Sequence, residues 1–80
     1  MVFPCPCCGY LTFSSPPPGT FEICPVCYWE DDPIQSSNPN YAGGANTISL
    51  ETAKKNFAHF GAVKAEFRKL TRPPAAEEMP

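Results

Sequence analysis

Two short apolar runs, a long polar stretch and one amphipathic segment follow one another along the chain. The runs at 10–13 and 20–23 are rich in aromatic and β-branched residues, which favour strands. Residues 14–19 between them include three consecutive prolines, and such a stretch continues neither a strand nor a helix. The pattern predicts two strands joined by a turn, which is a β-hairpin.

The polar stretch over 29–48 predicts an irregular loop, because Asp-Pro, Asn-Pro and Gly-Gly pairs recur in it and all three pairs are typical of turns. A helix is predicted to begin after Ser49, whose hydroxyl can accept hydrogen bonds from the first helical turn. Apolar residues then recur at helical spacing, at Leu50, Ala53, Phe57 and Phe60.

We expect this helix to end at Gly61, since glycine inside a helix costs about 1 kcal/mol relative to alanine. The apolar spacing continues through Val63, Phe67 and Leu70. These residues fit a second helix or, without a break at Gly61, one longer helix. The prolines at 73 and 74 end regular structure, so the sequence predicts one domain over 1–72 and a disordered tail over 73–80.

A chain of 80 residues holds one small domain, which buries only about 60% of the surface that its unfolded chain exposes. Such domains are commonly stabilised by a metal, disulfides or a partner. No apolar run is long enough to cross a membrane, and the first residues do not resemble a secretory signal. The sequence therefore predicts a cytoplasmic protein without a membrane partner.

Four of the five cysteines form two matching Cys-Pro-x-Cys turns. Their spacing is C-x2-C-x15-C-x2-C, which is typical of a site where four thiolates hold one metal ion. The predicted ligands are Cys5, Cys8, Cys24 and Cys27. Gly9 after the first turn can adopt a positive φ. Tyr28 holds the equivalent place in the second turn, where a bulky side chain resists that conformation, so we expect the second turn to exit differently.

Four thiolates suit one Zn2+ per chain and also a single iron ion, as in rubredoxins. Zinc is the commoner structural metal in short ribbons and is the metal we expect. Disulfides are disfavoured because the cysteine number is odd and no secretory signal precedes them. Cys7 lies inside the first turn, as a bystander thiol, a redox-sensitive thiol or a spare ligand. A thiol–disulfide oxidoreductase is disfavoured because the sequence predicts no strand before Cys5.

Motifs spread over residues 4–72 together resemble the small bacterial cysteine-rich CPCC domain family. They are Cys5-Pro6-Cys7-Cys8-Gly9, Ile23-Cys24-Pro25-Val26-Cys27, Trp29-Glu30-Asp31-Asp32, Gly43-Gly44-Ala45-Asn46, Ser49-Leu50, Asn56-Phe57 and Phe60-Gly61-Ala62. The resemblance implies a stand-alone, small metal-binding domain and carries no known activity with it.

Charge is unevenly distributed, with a net value of −2. Residues 1–40 hold four acidic and no basic side chains, whereas 51–72 hold six basic and two acidic ones. The two halves can attract each other, or the basic half can bind an anionic partner. The candidate anion-binding residues are Lys54, Lys55, Lys64, Arg68, Lys69 and Arg72. Nucleic acid is a possible partner, although the negative net charge disfavours it.

An aromatic and acidic segment directly follows the second cysteine turn and is the predicted surface for a protein partner. It consists of Tyr28, Trp29, Glu30, Asp31 and Asp32. The sequence contains no recognisable catalytic motif, which favours a non-catalytic function. It predicts a small metal-stapled α+β fold: a zinc-ribbon or rubredoxin-like β-hairpin with two CPxC knuckles, followed by one or two C-terminal helices.

Overall fold

A computed structural model describes residues 2–80 and has a small α+β fold built around the cysteines. Its extended and helical elements are short, and the longest is an eleven-residue α-helix. In chain order they are β1 Phe3–Pro4, β2 Leu11–Phe13, α1 Pro33–Ser37, α2 Leu50–Phe60, and the 3-10 helices Ala65–Leu70 and Ala76–Glu78. The predicted combination of one hairpin, two cysteine turns and C-terminal helices is confirmed.

The hairpin lies at a different place from the predicted one. Antiparallel β1 and β2 pair Phe3 with Phe13 and Pro4 with Leu11, so the hairpin encloses the first cysteine turn. The prediction of a strand over 20–23 was wrong, because that segment forms only a single bridge, between Ile23 and Glu30. Phe21 has a φ of 57°, and this left-handed residue interrupts the extended backbone that a strand requires.

The main helix has the predicted boundaries. The Ser49 hydroxyl accepts a hydrogen bond from the backbone N–H of Thr52 at 3.1 Å and caps the start of α2. Gly61 ends the helix with a φ of 82°, and its N–H donates to the Phe57 carbonyl. This confirms the break at Gly61. The second helix is a 3-10 helix, Ala65–Leu70.

The stretch predicted as an irregular loop contains α1. The Asp32 carboxylate caps it by accepting hydrogen bonds from the N–H groups of Ile34 at 2.8 Å and Gln35 at 3.3 Å. Pro33 occupies the first turn, where its fixed φ and missing donor suit a helix start. The Asp-Pro pair therefore begins a short helix, whereas the sequence analysis interpreted it as a turn.

A buried amide network holds the rest of this loop. The Gln35 side chain is fully buried, and its amide nitrogen donates to the carbonyls of Tyr41, Asn46 and Ile48 at 2.9–3.1 Å. The Asn46 amide donates to Gln35 Oε1 and to the Glu30 carbonyl and accepts from the Glu30 N–H. These bonds satisfy buried polar groups that would otherwise destabilise the fold.

The core surrounds Trp29, which is fully buried together with Phe13 and Val63. The cysteine side chains belong to the same cluster, so the candidate ligands and the apolar core are continuous. Phe21 and Ile23, two apolar side chains available for a core, are instead about half exposed. Packing around one tryptophan is therefore the main apolar contribution of the chain.

The C-terminal segment 73–80 contains the 3-10 helix Ala76–Glu78. Its disorder in solution stays a prediction, as does the domain boundary at residue 72. Among residues 2–80, no helix combines the length and the apolar character that crossing a membrane requires.

Candidate metal centre

The two cysteine turns have the same backbone hydrogen bonds. In the first, the Gly9 N–H donates to the Cys5 carbonyl and the Cys5 N–H donates to the Tyr10 carbonyl, both at 2.9 Å. In the second, the Tyr28 N–H donates to the Cys24 carbonyl at 2.8 Å. Cys24 likewise donates to the residue five positions ahead, at 2.9 Å. Each turn is therefore a closed loop that holds two sulfurs on one side.

Both turns also exit through a left-handed residue. Gly9 has a φ of 80° and Tyr28 a φ of 73°, so the prediction that the second turn would exit differently was wrong. The positive φ turns the chain back, so that the carbonyl of the next residue, Tyr10 or Trp29, accepts the hydrogen bond from the N–H of the first cysteine. A non-glycine residue pays about 1 kcal/mol or more for this conformation, and the Tyr28 ring packs against Phe67 with centroids 4.9 Å apart.

The turns bring four sulfur atoms to one point. The Sγ atoms of Cys5, Cys8, Cys24 and Cys27 all lie within 4.8 Å of one another. Two of the pairs, Cys5–Cys27 and Cys8–Cys24, are separated by 3.6 and 3.7 Å. A tetrahedral ion with metal–sulfur bonds of about 2.3 Å requires sulfur separations near 3.8 Å, whereas a disulfide requires about 2.05 Å. The four cysteines are thus placed to bind one metal ion.

Hydrogen-bond donors stabilise three of the sulfurs as thiolates. The backbone N–H groups of Cys7 and Trp29 donate to Cys5 Sγ and Cys27 Sγ, both at 3.4 Å. The Thr12 hydroxyl lies 3.1 Å from Cys24 Sγ and can donate to it once Cys24 is ionised. Thr12 was not among the residues predicted for the site. Its place on β2, the strand that leaves the first turn, is the signal that could have identified it.

Because the four thiols lie close together, their pKa values shift in opposite directions. Hydrogen bonds from Cys27, Cys5 and Cys8 lower the pKa of Cys24. The ionised Cys24 in turn raises the pKa of the other three thiols. A cluster that favours only one thiolate needs a cation to hold four, so metal binding must compete with protons.

A family model described as cysteine-rich CPCC matches residues 3–78. The chain belongs to the cysteine-rich CPCC family. This confirms the resemblance drawn from the motifs. No curated protein sequence matches the chain. Family and geometry together establish a small CPCC domain with a four-cysteine cluster suited to a metal ion.

The fifth cysteine of this CPCC domain is not one of the four converging sulfurs. Cys7 is buried, with 9% of its surface exposed. Its backbone N–H donates to Cys5 Sγ, and its thiol lies beside that of Cys27. A redox or spare-ligand role for the Cys7 thiol stays a prediction.

The predicted partner surface at 28–32 needs correction, because three of its five side chains are buried. Trp29 and Asp31 are fully buried and Asp32 is 7% exposed. Asp31 accepts a hydrogen bond from the Thr20 N–H at 2.9 Å, and Asp32 caps α1. Trp29 faces inwards because it packs in the apolar core. The two aspartates face inwards because their carboxylates accept hydrogen bonds from backbone N–H groups. Tyr28 and Glu30 remain partly exposed.

Attraction between the acidic and basic halves would pair basic side chains with the acidic segment 28–32. The ion pairs among residues 2–80 do not include that segment. Within residues 2–80 the ion pairs are Lys64–Glu66 at 3.2 Å and Arg72–Glu78 at 2.7 Å. The exposed basic side chains outside these pairs are Lys54, Lys55, Arg68 and Lys69. An anion-binding role for them stays a prediction.

Proposed function

We propose that this CPCC domain binds one Zn2+ as a structural ion and acts as a non-catalytic module through a protein partner. The convergence of four thiol groups carries the proposal. Four protein ligands fill a tetrahedron, whereas catalytic zinc sites keep one position for water or substrate. The bound ion would neutralise the buried thiolates and connect the two turns to the core.

Zinc is favoured over iron by its prevalence in short structural sites with four cysteines. Sulfur geometry alone suits both ions, so the metal must be measured. We would purify the full chain from minimal medium and determine its metal content and visible spectrum. One zinc per chain and a colourless protein are expected. One iron per chain, with visible thiolate-to-iron absorption, would instead support a rubredoxin-like electron-transfer protein.

The surface that we propose for the partner is a small cleft beside the second turn. Ile23, Tyr28 and Glu30 line it together with the 45–48 segment and Phe67, and its volume is about 120 Å3. Ile23 is 48% exposed, and an apolar side chain with polar neighbours would suit the apolar centre and polar rim of a protein contact. This proposal retains the two partly exposed members of the predicted segment.

Site-specific photo-cross-linking tests this surface in cells. A photoreactive phenylalanine analogue replaces Tyr28 in one variant and His59, which is exposed on α2, in the control. We expect one discrete protein adduct from position 28 that is absent from position 59. The same adducts from both positions, or none from position 28, would reject the cleft as the partner surface.

A nucleic-acid partner is the second candidate, favoured by the four exposed basic side chains outside the ion pairs. Binding that uses them must weaken steeply with salt, because each phosphate contact releases a counterion. Titration of a labelled DNA or RNA at about 50 and 200 mM salt decides it. Affinity that is absent, or that does not change between the two concentrations, excludes this candidate.

A further inference from the structure

The C-terminal segment crosses the fold beside Cys24. At its start, the Arg72 N–H donates to the carbonyl of Pro25, which follows Cys24 in the second turn, at 3.1 Å. At its end, the 3-10 helix Ala76–Glu78 contacts β2. Strand β2 carries Thr12, whose hydroxyl lies 3.1 Å from Cys24 Sγ. The segment is therefore attached on both sides of one metal-binding cysteine.

A two-point ion pair closes this segment into a loop. Arg72 Nη1 and Nη2 contact Glu78 Oε1 and Oε2 at 2.7 and 2.8 Å. The Ala75 N–H also donates to Glu78 Oε1, at 2.8 Å. The Arg72 guanidinium lowers the pKa of Glu78 to about 2, so the pair is fully charged at neutral pH. Bidentate pairing fixes geometry more firmly than a single contact does.

Exposure differs among the four candidate ligands. Cys5, Cys24 and Cys27 are at most 2% exposed, whereas Cys8 is partly exposed. Cys8 Sγ lies 3.7 Å from Cys24 Sγ, so the most exposed of the four sulfurs neighbours a fully buried one. A competing ligand that enters beside Cys8 meets Cys24 next, and the C-terminal segment contacts two parts of the fold that adjoin Cys24.

We propose that residues 72–79 form a strap that limits exchange of the bound metal. This proposal rests on the proposed metal-binding function. Closing of the Arg72–Glu78 pair keeps the strap beside Cys24, and opening exposes Cys24, the neighbour of the partly exposed Cys8, to a competing ligand. The strap contains no fully buried side chain, and segments with few buried contacts open locally at low free-energy cost. Metal exchange can then proceed without unfolding of the core.

The test compares metal release from loaded full-length protein after one of two neighbouring substitutions. Glu78→Gln removes the pair, whereas Glu77→Gln makes the same charge change at an exposed side chain without an ion pair. Release to an excess chromogenic chelator is followed at low salt. We expect Glu78→Gln to accelerate release about two- to fivefold, and Glu77→Gln to match the parent. High salt should reduce the difference, because it screens the pair.

Amide hydrogen exchange separates local opening from general destabilisation. Glu78→Gln should accelerate exchange at 72–79 and leave α2 unchanged. The double variant Arg72→Glu/Glu78→Arg restores a pair of opposite charges and should return the release rate towards that of the parent. Equal release rates for the Glu78→Gln and Glu77→Gln variants, or equal acceleration of exchange across the whole domain, would overturn the strap.

The outcome also distinguishes the two proposals. If the parent binds one metal ion per chain and Glu78→Gln leaves the release rate unchanged, only the strap is rejected. That result would agree with the sequence-based prediction of a disordered 73–80 tail. A parent protein that binds no metal rejects the proposed function and the strap together.

Discussion

Replacement of one candidate ligand, Cys24→Ser, should abolish cooperative folding of the domain. Cys24 is fully buried and its sulfur lies within hydrogen-bond distance of both Cys8 and Thr12. A serine hydroxyl is a poor replacement for a thiolate ligand, so three sulfurs would have to hold the ion. The substitution also leaves a buried polar group among sulfurs and Trp29.

The magnitude follows from the size of the domain. Structural zinc contributes about 10–16 kcal/mol of apparent binding free energy in small domains. A domain of this length has a total unfolding free energy of only about 4–12 kcal/mol. Loss of half of the metal contribution, about 5–8 kcal/mol, is therefore comparable to the whole unfolding free energy of such a domain.

Cys7→Ser is the matched control, because it makes the same chemical change in the first turn. Cys7 serves the site through its backbone N–H to Cys5 Sγ, which serine retains. We expect a change in unfolding free energy below about 1 kcal/mol and a full metal content. Circular dichroism during urea titration and elemental analysis measure both. A Cys24→Ser protein with parental melting and metal content, or equal losses in both variants, would refute the reasoning.

Three further substitutions test the parts of the fold that position the site. Gly44→Ala should destabilise the domain by about 1–3 kcal/mol, because a Cβ would lie 2.5 Å from Asp32 Oδ2; unchanged thermal unfolding would contradict this close approach. Asp32→Ala should cost about 1 kcal/mol at pH 7. The hydrogen bond from the Ala45 N–H lowers the pKa of the Asp32 carboxyl below its usual 3.8. The carboxylate therefore contributes its full stabilisation to folding above that pH. The difference in unfolding free energy between variant and parent, measured by urea titration, should shrink only as pH falls below about 4. Thr12→Val should weaken metal affinity about tenfold, because it removes the hydroxyl beside Cys24. Competition with a chelator of known affinity measures this, and an unchanged metal affinity would contradict a role for the contact.

The candidate ligands and the boundaries of α2 were predictable because local sequence determines them. Two Cys-Pro-x-Cys turns can bring four sulfurs together only around a common point, and the structure places all four there. Ser49 and Gly61 likewise act through their own backbone neighbourhood. These features need no knowledge of what lies across the core.

The hairpin position and the burial of the acidic segment were not predictable in this way. Strand propensity at 20–23 competes with the left-handed Phe21 and with the closed second turn, and tertiary context overrides such propensities. Burial of Asp31 and Gln35 depends on hydrogen-bond partners 6 to 13 residues away along the chain. A sequence marks such residues only as polar, so their inward orientation became evident from the fold.

The positive φ at Tyr28 is another feature that the residue type did not predict. Residue type argued against a left-handed exit from the second turn, but Tyr28 adopts one, and the Trp29 carbonyl that follows accepts a hydrogen bond from the Cys24 N–H. Repetition of the cysteine motif was the better guide to backbone geometry than the steric preference of one residue.

Metal removal tests the central claim most directly. The purified full chain is treated with excess chelator under reducing conditions, and its amide dispersion is followed by NMR while released metal is counted. We expect one ion to leave each chain and the native spectrum to collapse to that of an unfolded protein, then to return on addition of Zn2+. A metal-free chain that keeps its native spectrum would show that the sulfur cluster does not hold the fold together.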